Sequence, residues 1–204
     1  MQLHHRFIEI AKKYPNDIAI VDVNSGNSVT YSKLLLASLV LSEKNKKFPE
    51  QNIGVMIPTS FGCMVTTIAL LMANKTPVMI NYSVGAIENV RYAQEKCNFR
   101  TTITTEKLLE KLSLKPIDGM VNIEEILAKV NLINKIKGMS ISKLSTQMIQ
   151  KLVHKGSREE NAVILFTSGS EKDPKAVQLS HQNIMHNVIG FSTVVPDIKN
   201  QIFL

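Results

Sequence analysis

The chain has 204 residues, 44% hydrophobic and 20% charged, with a formal net charge of +7. This is the balance of a globular protein, long enough for one large domain or part of a bigger one. The longest apolar stretch, Phe61 to Ala73, is broken by Thr66 and Thr67 and falls short of the roughly 20 residues of a spanning helix. The start has no signal-peptide apolar centre. Cys63 and Cys97 lie far apart with no metal-ligand spacing, which reads as two free thiols in a reducing cytosol.

The opening, MQLHHRFIEIAKKYP, has Phe7, Ile8 and Ala11 on one side of an amphipathic helix. His4 and His5 lack a matched Cys or Glu partner, so they read as a solvated end rather than a metal site. Asp17 to Val23 and Ser28 to Tyr31 form a hairpin around the turn-rich Asn24-Ser25-Gly26-Asn27. Thr30 is placed to cap a helix from Tyr31 to Lys47, with Leu34, Leu35, Ser38 and Leu41 at helical spacing. Ile53 to Ile57 is a short continuous apolar run, as expected of a strand buried on both faces. A helix over Phe61 to Asn74, a strand over Pro77 to Ile80, a helix over Gly85 to Cys97, a strand over Thr101 to Thr104 and a helix over Glu106 to Leu112 follow. Strands alternating with helices at this spacing predict an α/β fold with a mostly parallel sheet flanked by helices on both faces.

From Ile126 through Arg158 there is no Asp or Glu, while Lys129, Lys135, Lys137, Lys143, Lys151, Lys155 and Arg158 interleave with Val130, Leu132, Ile133, Ile136, Leu144, Met148, Ile149 and Leu152. Such a stretch can meet an anionic membrane face or an acidic partner, but a solvated lysine face on a packed helix is the commoner arrangement. No aromatic stacking platform or recognition motif accompanies the charge, so nucleic acid is not expected.

The apolar run Ala162 to Phe166 reads as a buried strand, and Thr167-Ser168-Gly169-Ser170 with Pro174 and Lys175 follow it. Small side chains let backbone N–H groups approach an anion, Gly169 offers free φ, and the hydroxyls and Lys175 add donors and charge. The same composition also suits an ordinary surface turn. The loop lies at the carboxyl end of a strand, where ligands of parallel α/β folds sit.

The order Thr167-Ser168-Gly169-Ser170, Pro174-Lys175, Val177 and Leu179-Ser180-His181-x-Asn183 resembles the phosphate-loop signature of the AMP-forming adenylating enzymes, the acyl-CoA synthetase and luciferase superfamily. Thr30-Tyr31-Ser32-Lys33-Leu34 and the segment Ile53 to Ser83 are similar to further family motifs. Glu171 and Asn81-Tyr82 look like one branch, the acyl-acyl-carrier-protein synthetase domain of bacterial 2-acylglycerophosphoethanolamine acyltransferases. Lys172 and Ala176 stand where the family usually has glycine; both stiffen the loop, and Ala176 is expected to be strained if its φ must be positive.

The resemblance implies that residues 1–204 are the N-terminal portion of one adenylate-forming domain, truncated at its C-terminal end on a strand start, Gln201 to Leu204. The complete enzyme would use ATP and Mg²⁺ to convert a fatty acid to acyl-AMP and pass it to a thiol of acyl carrier protein or coenzyme A. Thr167, Ser168, Gly169, Ser170 and Lys175 would hold the β- and γ-phosphates, and Glu171 and Pro174 are further cofactor-binding positions of the same loop. No residue is expected to act as nucleophile or base. The chain alone would form no acyl-adenylate; an implied partner is the missing C-terminal part of the enzyme, in one alternative a separate polypeptide. Its setting would be cytoplasmic, with a peripheral contact on the inner membrane face through residues 129–158. The alternatives are a fragment of a long-chain acyl-CoA ligase and a non-catalytic module that docks on a membrane or carrier protein.

Overall fold

The computed structural model describes residues 1–22, 26–167 and 173–194. Val23 to Ser25 of the first turn, Ser168 to Lys172, and the expected strand start at Gln201 to Leu204 lie outside the described residues.

Helix α1 (Leu3–Lys13) leads to a small antiparallel hairpin, β1 (Ile18–Asp22) with β2 (Asn27–Thr30). Helix α2 (Tyr31–Asn45) starts where expected: the Thr30 hydroxyl accepts from the Lys33 N–H, satisfying one of the four unpaired amides of a helix start. Then come β3 (Asn52–Val55), α3 (Phe61–Met72), β4 (Thr76–Met79), α4 (Ala86–Lys96), β5 (Thr102–Thr104), α5 (Glu106–Lys111), β6 (Met120–Asn122), α6 (Ile123–Ala128), α7 (Leu132–Lys143), α8 (Thr146–Leu152), β7 (Asn161–Phe166), β8 (Ala176–Ser180) and α9 (His181–Val194). Among the described residues, no helix is long and apolar enough to cross a membrane.

The main sheet has the order β6-β5-β3-β4-β7-β8, parallel except for the antiparallel pair β7–β8. Side chains alternate across it. Ile53, Val55 and Ile103 face a core shared with α1, α2 and α3, whereas Met56, Val78, Ile80 and Ile164 face one built by α4 and α5. The predicted α/β architecture, with helices on both faces, is therefore the one observed.

Gly54 is required at the sheet centre. A Cβ there would lie 2.6 Å from Thr102 Oγ1 and 2.9 Å from the Phe99 ring, so a side chain at this point would force β3 and β5 apart. Because β3, β4, β5 and β7 run parallel, their carboxyl ends share one edge of the sheet, and the segment after Phe166 opens onto that edge.

Two further expectations are corrected by the packing. His4 is not part of a solvated end: it is 1% exposed, because it shares the inner face of α1 with Ile8 and Ala11 at helical spacing. Ala176 is not strained. It is the first residue of β8, in register with Phe166, and does not adopt a positive φ, so a Cβ is tolerated there. The two cysteines are free, and burial pushes both thiols up.

Candidate phosphate-binding site at the β7–β8 hairpin

Strands β7 and β8 hold the two ends of the candidate loop side by side. The Thr167 N–H donates to the Lys175 carbonyl at 3.1 Å, and the Lys175 N–H donates to Thr167 Oγ1 at 3.0 Å. With its oxygen accepting that bond, the Thr167 hydroxyl retains its own proton for an outside acceptor. Thr167 and Lys175 are both exposed, so a hydroxyl donor and a cation stand together at the mouth of the hairpin.

Pro174 fixes that mouth from the other side. Its carbonyl accepts from the Tyr92 hydroxyl of α4 at 2.7 Å, and the Tyr92 ring meets Phe166 edge-on with centroids 5.9 Å apart. One aromatic residue thus ties both strands of the hairpin base to α4. Reading the sequence alone missed Tyr92, and no local motif marks it; its role arises from a contact 82 residues distant. Tyr92→Phe leaves the Pro174 carbonyl without this partner, a loss of about 1 kcal/mol. Amide hydrogen exchange at Thr167 and Lys175 is expected to quicken about fivefold; unchanged exchange would show that the anchor is dispensable.

Of the expected phosphate ligands, the structure brings together Thr167, Pro174 and Lys175. Ser168, Gly169, Ser170 and Glu171 lie outside the described residues. The donor set that is described suits a phosphate: hydroxyl and amine, both solvent-facing, and no carboxylate among them except the exposed Asp173. Among the described residues, no group of three or more His, Cys, Asp or Glu side chains could hold a metal ion.

The residues beyond β8 perform a different task. Ser180 Oγ accepts from the Asn183 N–H at 3.1 Å, and Asn183 Oδ1 accepts from the Ser180 N–H at 2.9 Å. This reciprocal pair is a capping box that starts α9. His181 is buried, and its Nδ1 accepts from the Leu3 N–H at 3.2 Å. The Ser-His-x-Asn segment thus begins a helix and ties it to the start of the chain.

Three more histidines gather at that tie. His4 Nε2 and His5 Nε2 both donate to the His154 carbonyl, at 2.9 and 2.8 Å, and His154 Nε2 bonds Glu160 at 2.8 Å. Burial pushes His4 down to about 3, partly opposed by its bond to the His154 carbonyl. Burial likewise pushes His181 down to about 4 against the pull of Glu160. The bond from His154 holds the Glu160 carboxyl below its usual range. Both buried imidazoles are therefore neutral and structural near pH 7.

Asn81 and Tyr82 sit at the end of β4. Asn81 Oδ1 accepts from the Ser83 N–H, and Asn89 donates to the carbonyls of Asn81 and Val84. Gly85, at φ 62°, then opens α4, a left-handed step that glycine makes without strain. This turn positions the helix that carries Tyr92.

The model of the AMP-binding enzyme family matches residues 7–202, and the chain belongs to that family. Long chain acyl-CoA synthetase 8 of Arabidopsis thaliana is 32% identical over 144 residues, covering 63% of this chain and 20% of that protein. A 4-chlorobenzoate–CoA ligase of Arthrobacter is 26% identical over 188 residues, covering 90% of this chain and 34% of that protein. The solved o-succinylbenzoate CoA synthetase of Bacillus subtilis, in complex with its acyl-adenylate intermediate, superposes with a TM-score of 0.72 at 14% identity, over 98% of this chain and 47% of that one. That last likeness concerns the fold. The chain spans about a third or less of the length of these two curated relatives.

Proposed function

We propose that the chain supplies the N-terminal part, including the phosphate-binding loop, of an AMP-forming ligase that activates a fatty acid. The observation that carries this reading is the pairing of Thr167 with Lys175 at the carboxyl edge of the sheet, in a chain whose family is the AMP-binding enzymes. In this reading ATP, with Mg²⁺, supplies an α-phosphate that the substrate carboxylate attacks. The bond from that phosphorus to the bridging oxygen breaks, and pyrophosphate leaves. Lys175, the Thr167 hydroxyl, Ser168, Gly169 and Ser170 would hold the β- and γ-phosphates, with Glu171 a further position of the nucleotide-binding loop and Pro174 fixing the loop base. Their contribution is electrostatic and needs no proton transfer, because the nucleophile is already an anion.

The fatty acid is favoured by the identity to a long-chain acyl-CoA synthetase and by Glu171 and Asn81-Tyr82. The last two also favour acyl carrier protein over coenzyme A as the acceptor thiol, and phospholipid reacylation as the use of the acyl group. An aryl acid joined to coenzyme A is the second reading, supported by the longer match to a 4-chlorobenzoate–CoA ligase. The test is ATP–pyrophosphate exchange by the protein that carries this chain, driven in turn by long-chain fatty acids, benzoates and amino acids. Exchange with fatty acids alone supports the first reading, and exchange with benzoates alone replaces it by the second. Exchange with none of them removes both. Transfer of the acyl group to acyl carrier protein or to coenzyme A then assigns the acceptor.

A further inference from the structure

Helix α7 is packed the wrong way round for a helix that faces only water. Its inner side carries Gly138 and one large apolar residue, Ile141, which packs on the core. Gly138 is buried against α2, where an added Cβ would collide with Val40, and Lys137 pairs with Glu43 of α2 at 2.9 Å. Close approach through the glycine leaves no room for a side chain at that point, and the other large apolar side chains of the helix lie elsewhere. They stand outward instead: Leu132 is 71% exposed, Ile133 72%, Ile136 53% and Met139 47%. At 100° per residue, Leu132, Ile136, Met139 and Lys143 form one outward ridge, with Ile133 on one flank and Lys135 on the other.

The surroundings of that ridge are cationic. Lys129, Lys135 and Lys143 are exposed, and among the described residues none of them forms an ion pair. Glu43 is the carboxylate packed against α7, and it is already held by Lys137 and Lys46. The nearest other acids in the chain, Glu124 and Glu125, lie on α6. Residues 126–158 contribute seven cations and no anion.

We propose that the outward face of α7 docks on an anionic lipid surface, with Leu132, Ile133, Ile136 and Met139 entering the interface and Lys129, Lys135 and Lys143 reaching the headgroups. Charge complementarity selects this occupant over a second copy of the chain, because a two-fold pairing of this face would set lysine against lysine. It is selected over an acidic protein because the exposed apolar side chains here are Leu, Ile and Met, none of them aromatic. The ridge offers none of the Trp, Tyr or Arg side chains that anchor protein interfaces, whereas aliphatic residues bordered by long lysine stems suit the headgroup boundary. The proposal is independent of the ligase reading, since it uses none of the residues around Thr167.

The test is flotation of the 204-residue chain with vesicles of equal parts phosphatidylcholine and phosphatidylglycerol, and with phosphatidylcholine vesicles alone. The chain is expected to float with the anionic vesicles, to stay behind with the neutral ones, and to be released by salt. The double substitution Ile136→Asp, Met139→Asp is expected to lower the bound fraction at least about tenfold without moving the unfolding midpoint, since both residues are exposed. Met64→Asp, at an exposed apolar position on α3, keeps binding intact. Absence of flotation with anionic vesicles overturns the proposal, as does flotation that the α7 substitutions leave unchanged or that Met64→Asp lowers equally. Self-association of the wild type in sedimentation velocity that the α7 substitutions abolish, or capture of acyl carrier protein by a chain that ignores vesicles, overturns it in favour of those occupants.

Discussion

Replacement of Lys175 by alanine is expected to lower acid-dependent ATP–pyrophosphate exchange by about 100-fold, the scale of losing one donor aimed at developing charge. The side chain is exposed at the hairpin mouth, while its backbone amide and carbonyl hold the ladder to Thr167. Alanine keeps that ladder and removes only the cation, so the unfolding midpoint should not move. Lys175→Arg keeps the charge on a longer, planar group and is expected to retain more exchange than alanine does. Thr167→Val does two things at once: it removes a hydroxyl donor and deprives the Lys175 N–H of its acceptor. It should therefore lower both exchange and stability. Equal exchange by wild type and Lys175→Ala would remove this residue from the phosphate site.

Acid should destabilise the fold well before its carboxylates are neutralised. The sign follows from the two buried imidazoles. His4 is pushed down to about 3 and His181 to about 4, each from a free value of about 6.5. Below that free value the unfolded chain takes up protons that the folded chain refuses, so stability is fully present above pH 6.5 and is lost as pH falls toward 4. By pH 5 the loss is on the order of 2 kcal/mol for His4 and less for His181, whose shift is discounted for solvent screening, so roughly 2–4 kcal/mol for the pair. In a chain of this size that corresponds to a midpoint about 5 to 15 °C lower at pH 5 than at pH 7. The cause is local. His4 Nε2 already donates to the His154 carbonyl, and its Nδ1 is buried without a partner, so a second proton would be a buried charge beside His5, His154 and His181. A proton on His181 Nδ1 would displace the Leu3 N–H. His4→Gln should flatten the dependence, and matching midpoints at pH 5 and pH 7 in the wild type would contradict the assignment.

The parts of this fold that were legible in the sequence are those where one local rule decides. Ile53 to Ile57 reads as a buried strand because it is short, continuous and apolar, Pro77 to Ile80 reads as the next strand, and both are central strands of the sheet. Thr30 read as a cap because a hydroxyl stands just before an apolar helical period. The site was legible as an order of residues, Thr167 through Lys175, but not as a structure. That β8 returns antiparallel on β7, and that Tyr92 holds the base of the hairpin, depends on contacts between distant segments. Helix α7 shows why periodicity alone misleads: apolar spacing marks a face, but the inward face here is the one with Gly138. His4 was misread for want of one comparison. Four residues before Ile8 and seven before Ala11, it falls on the buried side of α1, and that spacing was available from the start.

The tie between Leu3 and His181 spans 178 positions along the chain. On a ribosome working at about 5 to 20 residues per second, α1 would emerge roughly 10 to 35 seconds before the helix start that secures it. Until then α1 has its packing against α2, α3 and α8 and the bonds from His4 and His5 to the His154 carbonyl, but not the acceptor for the Leu3 N–H. The last tie of α1, at Leu3, is thus a late event of synthesis, and a nascent chain arrested before residue 181 should fray at that end more readily than the full chain.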